Sequence, residues 1–89
     1  MKIVTVCGNG CGTSLLLKMT VETVLRNERI DATVEHTDIN SASSIECDFF
    51  ICAKDLESLM LDTGKNFVAV NNLLDINEVK EAVLPMCGR

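Results

Sequence analysis

The sequence predicts an α/β fold, a doubly wound, three-layer arrangement with a four-stranded parallel sheet and helices on both faces. Three observations predict it. Four short apolar or alternating runs, at residues 2–6, 31–37, 49–53 and 67–70, read as strands. Segments with apolar residues at helical spacing separate them. Strands that alternate with helices call for crossover connections and a parallel sheet covered on both sides. A length of 89 residues is one domain, spanning 1–89, and 47% hydrophobic content with only three aromatics (Phe49, Phe50 and Phe67) makes its core aliphatic.

In chain order, Lys2-Ile3-Val4-Thr5-Val6 is β-branched and stops at a glycine-rich stretch, which marks a short buried strand. From Ser14 the period changes: Leu17, Val21, Val24 and Leu25 fall on one face of a helix over about residues 13–29. Residues 31–37 alternate apolar and polar, as a half-exposed strand at the edge of a sheet does. Residues 40–45 are a polar loop or one short helical turn. The continuous apolar run 49–53 is a strand buried on both faces. A short helix over 55–61 is ended by Thr63-Gly64-Lys65, and 67–70 forms the fourth strand. Asn71-Asn72 turns the chain into a last helix carrying Ile76, Val79, Ala82 and Val83, with Asp75 as its N-cap and Glu78 completing a capping-box-like pair. Pro85 and Gly88 terminate it.

A net charge of −5 and a pI near 4.6, with no Trp or Tyr, exclude nucleic acid as the expected partner: no basic stripe neutralises phosphates and no stacking platform exists. No segment approaches the ~20 apolar residues of a membrane span, and the N-terminal apolar run, about five residues long, is too short for a signal peptide. A soluble, cytoplasmic chain follows as the expectation, with any membrane connection made through a partner. The five cysteines are odd in number and contain no C-x-x-C pair, so neither a disulfide framework nor a zinc site is expected; His36 is the only histidine. Cys52 reads as a small core hydrophobe, and Cys47 and Cys87 as filler or surface thiols.

The chemistry concentrates in Cys7-Gly8-Asn9-Gly10-Cys11-Gly12-Thr13. A thiol leaves the carboxyl end of a strand, enters a loop with three glycines and runs into a helix N-terminus. Unpaired N–H groups and the positive end of the helix dipole favour an anion there, whether phosphate or thiolate. The dinucleotide pattern G-x-G-x-x-G is not met, and the phosphate-loop pattern fails because Thr13 stands where Lys is required. The loop compares more closely with the C-x5-R loop of low-molecular-weight tyrosine phosphatases, but Thr13 occupies the Arg position. The thiol loop is kept and the guanidinium clamp that hydrolysis needs is gone. That combination suits a phosphoryl carrier, with Cys7 as nucleophile, backbone donors from Gly8, Asn9, Gly10, Cys11 and Gly12, and Thr13 or Ser14 as hydroxyl donor or helix cap.

The run Val6-Cys7-Gly8-Asn9-Gly10-Cys11-Gly12-Thr13-Ser14, continued to Lys18-Met19, resembles the start of the IIB components of the bacterial phosphoenolpyruvate-dependent phosphotransferase system, in the lactose/galactitol/ascorbate group and most closely the ascorbate type. Thr63-Gly64-Lys65-Asn66-Phe67-Val68 and Val70-Asn71-Asn72-Leu73 are similar to later parts of that family. The resemblance implies that Cys7 is the phosphorylated residue and that Gly8 to Ser14 hold the phosphoryl group. It further implies a IIA phosphohistidine protein as donor, a membrane IIC permease as partner, and a carbohydrate or ascorbate-like substrate as acceptor, with no cofactor. Cys11 stands at a position the family varies. Two alternatives stay open: a phosphatase-like hydrolase, and a thiol redox protein using Cys7 and Cys11, whose C-x3-C spacing differs from the thioredoxin type. His36 reads as a surface histidine, and Asp38 and Asp55 fit capping and turns better than acid catalysis. Leu15, Leu16 and Leu17 exceed what one helix face needs, which fits either a docking patch beside the loop or a buried helix.

Overall fold

The computed structural model describes residues 1–8 and 13–88, with the side chains of Thr13 and Ser14 outside the description. Its elements are β1 (Lys2–Cys7), α1 (Thr13–Asn27), β2 (Thr33–Asp38), α2 (Ile39–Ala42), β3 (Phe49–Ala53), a 3-10 turn (Lys54–Leu56), α3 (Glu57–Thr63), β4 (Phe67–Val70) and α4 (Ile76–Met86). The four strands form one parallel sheet in the order β2-β1-β3-β4. The chain runs from β1 outward to β2, then returns past β1 to β3. Strand order therefore reverses between β1 and β3, where open α/β sheets form a crevice at the carboxyl edge.

Successive side chains of each strand enter two different cores. Ile3 of β1 and Phe49 and Ile51 of β3 pack with Leu17, Val21 and Val24 of α1 and Val79 and Val83 of α4. Val4 and Val6, with Phe50 and Cys52, pack against Ala42 of α2 and Met60 of α3 on the other face. Helices α1 and α4 thus cover one side and α2 and α3 the other, the expected three layers. Phe49 and Phe50, adjacent in sequence and each 1% exposed, fill opposite cores. In the edge strand β2 only Val34 is buried, in keeping with its alternating pattern.

Several boundaries differ from the sequence reading. Helix α1 ends at Asn27, two residues before the expected Arg29. The Ile30 N–H donates to the Leu25 carbonyl (2.9 Å) and the Arg29 N–H to the Arg26 carbonyl (3.3 Å), while Arg29 has φ 56°. This is a Schellman termination with arginine in the left-handed position that glycine usually takes. Residues 39–42 form a four-residue helix capped by Asp38, whose Oδ1 accepts from the Ser41 N–H at 2.8 Å. The helix expected over 55–61 starts as the 3-10 turn and closes at Gly64, φ 70°. Helix α4 passes through Pro85, whose fixed φ is helical, and ends one residue later at Met86; the proline forgoes the N–H bond to Glu81 and its ring crowds that carbonyl, a disruption confined to the last turn.

Candidate functional site

Cys7 is the last residue of β1, paired in register with Asp38 of β2, and is 4% exposed. Strand alternation sets it on the same face as Ile3, the side covered by α1. Gly8 follows. A Cβ added there would meet Leu56 Cδ2 at 3.7 Å, so the turn after β3 stands beside the start of the loop. Asn9, Gly10, Cys11 and Gly12 lie outside the described residues. The chain re-enters at Thr13 and Ser14, whose backbone opens α1 with no acidic side chain in its first turn. Its positive end is therefore not neutralised from within the helix, and the basic residue of its last turn, Arg26, complements the negative end.

The rest of the carboxyl edge comes from the segments after β2, β3 and β4. Asp38 is engaged as the α2 cap, and Asp55 is exposed in the 3-10 turn. Lys54 Nζ lies 3.8 Å from Glu57 Oε2, and Lys18 Nζ 3.7 Å from Glu22 Oε2. Among the described residues the arginines are Arg26 and Arg29, both at the far end of α1. Twelve or more residues at 1.5 Å each set them about 20 Å from Thr13. No guanidinium of the described chain reaches the thiol.

Cys52 is a neighbour of β1 in register but points into the opposite core, so it forms no dithiol with Cys7. Burial, then Glu57 and Asp55, push its thiol up to about 11. Burial also raises Cys47, whose Sγ lies 3.4 Å from the Phe49 carbonyl. Cys87 is half-buried and His36 exposed on the edge strand. Among the described residues no group of three or more His, Cys, Asp or Glu side chains is placed to hold a metal.

Two features extend or correct the sequence reading. Asp75 caps α4, its Oδ1 accepting from the N–H groups of Asn77 (3.0 Å) and Glu78 (3.2 Å). Glu78, however, does not reach back to Asp75 as a capping box requires. Its carboxylate accepts instead from the N–H groups of Asn71 and, at 2.8 Å, Asn72. These bonds hold the carboxyl below the usual glutamate range. An i,i+3 spacing signals a box; capture of N–H groups six and seven residues upstream leaves no local signature. The second feature is the exposed group Leu15, Leu16, Met19, Leu74 and Ile76, of which the leucine excess at 15–17 was the only sequence sign. Leu17 is buried, whereas Leu15 and Leu16 are each 45% exposed.

Comparison with known proteins gives the family and agrees with the fold. Residues 2–84 match the family model described as PTS system, Lactose/Cellobiose specific IIB subunit. The chain is similar to a protein of Mycoplasma pneumoniae named ascorbate-specific PTS system EIIB component, 35% identical over 86 residues, covering 93% of this chain and 90% of that one. A protein of the same name from Escherichia coli O157:H7 is 32% identical over 77 residues, covering 83% and 76%. The lactose-specific IIB component domain from Streptococcus pneumoniae superposes with a TM-score of 0.67 over 99% of this chain and 95% of that one; at 15% identity it is a likeness of fold. The chain belongs to the IIB family of the phosphotransferase system, whose members act in phosphoryl transfer during sugar uptake together with IIA and IIC partners.

Proposed function

We propose that this chain carries a phosphoryl group on Cys7, received from a IIA phosphohistidine and passed to a substrate held by a membrane IIC permease. The observation that carries the reading is the placement of Cys7 at the strand-order reversal, ahead of the acid-free N-terminus of α1, whose first arginine, Arg26, lies about 20 Å further along the helix axis. Gly8, Asn9, Gly10, Cys11 and Gly12, with Thr13 and Ser14, are the proposed phosphoryl-holding loop.

In the first step the Cys7 thiolate lone pair forms an S–P bond while the donor N–P bond breaks, its electron pair returning to the imidazole. In the second, a substrate hydroxyl oxygen attacks phosphorus, the S–P pair returns to Cys7, and the hydroxyl proton leaves to a base at the acceptor site. Neither step asks this chain for acid–base chemistry, since positioning and N–H donors toward the equatorial oxygens supply the stabilisation. A carrier must not hydrolyse its own intermediate. The near-complete burial of Cys7, and the placement of the described arginines at the far end of α1, support persistence of a phosphocysteine. The names of the two relatives support an ascorbate-like substrate. Among the described residues no helix is long and apolar enough to cross a membrane; work at the cytoplasmic face, beside the permease, is part of the carrier reading.

Incubation with phosphoenolpyruvate, the general phosphotransferase proteins and a IIA protein tests this. The wild type gains one phosphoryl group, Cys7→Ser gains none because an alcohol is barely ionised at neutral pH, and Cys11→Ser is labelled nearly as well as wild type. Labelling that survives Cys7→Ser overturns the proposal.

A further inference from the structure

The two ladders that flank β1 end at different heights. Pairing with β2 runs as far as Cys7, in register with Asp38, whereas pairing with β3 stops one residue earlier, at Val6 and Cys52. Ala53, the next residue of β3, pairs with Val70 of β4. On its β3 side the chain therefore passes from the thiol into the loop without a strand ladder to hold it. What meets it there is a side chain from the 3-10 turn. Leu56 Cδ2 stands 3.7 Å from the point where a Cβ on Gly8 would lie, an ordinary van der Waals separation.

Leu56 is anchored on its other side. It is half-buried and packs against the core of Val4, Val6, Phe50, Cys52 and Met60. Val4 and Val6 belong to the strand that ends in Cys7, so one side chain links the packed face of β1 to the residue after its thiol. On local grounds the position is a poor one for leucine. It is the N-cap of α3, where Asp, Asn or Ser would accept an N–H bond, and the Leu56 side chain makes no cap bond. A residue that breaks a local preference marks a place where another demand decides. Here the contacts of Leu56 are with the core on one side and the root of the thiol loop on the other.

In-line transfer requires sulfur, phosphorus and leaving nitrogen to align, and a misplacement of about 1 Å can cost roughly a hundredfold. We propose that Leu56 is a positioning residue for phosphoryl transfer, fixing Gly8, and with it the Cys7 sulfur, from the β3 side where the ladder has already ended. This rests on the reading of Cys7 as phosphoryl acceptor.

The test is steady-state transfer from a histidine-phosphorylated IIA protein to wild type, Leu56→Ala, Leu56→Val, Leu56→Met and Ile45→Ala, together with the rate at which iodoacetamide alkylates Cys7, read by peptide mapping. Ile45 packs against the same core but precedes β3, at the amino edge of the sheet and away from the thiol. Chemical denaturation sets conditions in which each variant is folded, and Leu56→Val, one carbon shorter, carries the test if Leu56→Ala does not fold. Leu56→Ala lowers kcat roughly ten- to a hundredfold at nearly constant donor KM. Leu56→Val falls between, and Leu56→Met, which keeps the reach of the side chain, stays within about twofold of wild type. Alkylation of Cys7 accelerates in Leu56→Ala, because releasing the loop root uncovers a thiol that is nearly enclosed. Ile45→Ala changes neither rate. An unchanged kcat in the shortened Leu56 variants, an equal fall in Ile45→Ala, a loss confined to the donor KM, or an unchanged alkylation rate overturns the role of Leu56 while leaving the carrier reading standing. A wild type that accepts no phosphoryl group overturns the carrier reading and this role with it.

Discussion

Cys7 and Cys52 stand on adjacent strands and on opposite faces of the sheet; Cys7 ends β1 at the carboxyl edge, whereas Cys52 lies within β3. Cys52 is wholly enclosed between Phe50, Met60 and neighbouring strands, and its thiol is pushed up to about 11, first by burial and then by Glu57 and Asp55. Since its folded-state value is raised, its contribution to stability is complete below the ordinary value near 9 and is lost as pH rises through about 11. We therefore expect unfolding midpoints of wild type to fall across that alkaline window more steeply than those of Cys52→Ala. Parallel curves would contradict it. Glu78 behaves in the opposite sense. Its carboxyl is held down by the Asn71 and Asn72 N–H groups, so its contribution is present above the ordinary glutamate value and lost as pH falls through the lowered one. The stability difference between wild type and Glu78→Gln should accordingly be constant at neutral pH and shrink in acid, as urea titrations at several pH values would reveal. The sequence made Cys7 and Cys52 legible, because a thiol at a strand end before glycines and a thiol inside an apolar run differ in context. It did not reveal Glu78, whose partners are chosen by the path of a turn.

At the scale of elements, the strands that were easiest to read are the continuous apolar ones. β3 and β4 begin and end where the apolar runs do: β3 is buried on both faces, and β4, half-buried at the sheet edge, is bounded by the polar Asn66 and Asn71. Ends governed by backbone geometry were harder. The Schellman termination of α1 uses Arg29 at φ 56°, and an arginine gives no hint of a left-handed position. Relief of that conformation predicts that Arg29→Gly stabilises the protein by about 1 kcal/mol, less the extra entropy glycine gives the unfolded chain. Thermal denaturation checks this, and a lower Tm for Arg29→Gly would mean that the arginine side chain contributes more than the strain costs. Pro85 misled in the other direction: a proline in the last turn can be followed by one more helical residue, and Met86 is that residue.

The whole molecule rests on two cores separated by one sheet, and they are unequal. The side covered by α2 and α3 holds Val4, Val6, Ala42, Phe50, Cys52 and Met60, with Phe50 the largest of them. Phe50→Ala should cost about 3–5 kcal/mol, a large part of the stability of a domain this size, and chemical denaturation would measure it. The same architecture sets β1 at the strand-order reversal, which brings the Cys7 thiol and Gly8 to the carboxyl edge of the sheet. The parallel four-stranded sheet was legible because each strand and the longer crossovers announced their own periods; the strand order β2-β1-β3-β4 and the limits of the short α2 were not. The exposed group on α1 was legible only in its leucines; the share of Leu74 and Ile76 was not, because their exposure depends on how α4 lies against α1. With no guanidinium near the thiol among the described residues, turnover of an aryl phosphate such as p-nitrophenyl phosphate should be negligible. The most direct measurement of the central claim is peptide mapping of the chain after phosphorylation by a IIA donor. The account predicts a single phosphoryl group on the peptide that contains Cys7, attached to that thiol; phosphate on His36 or on Cys11 would contradict it.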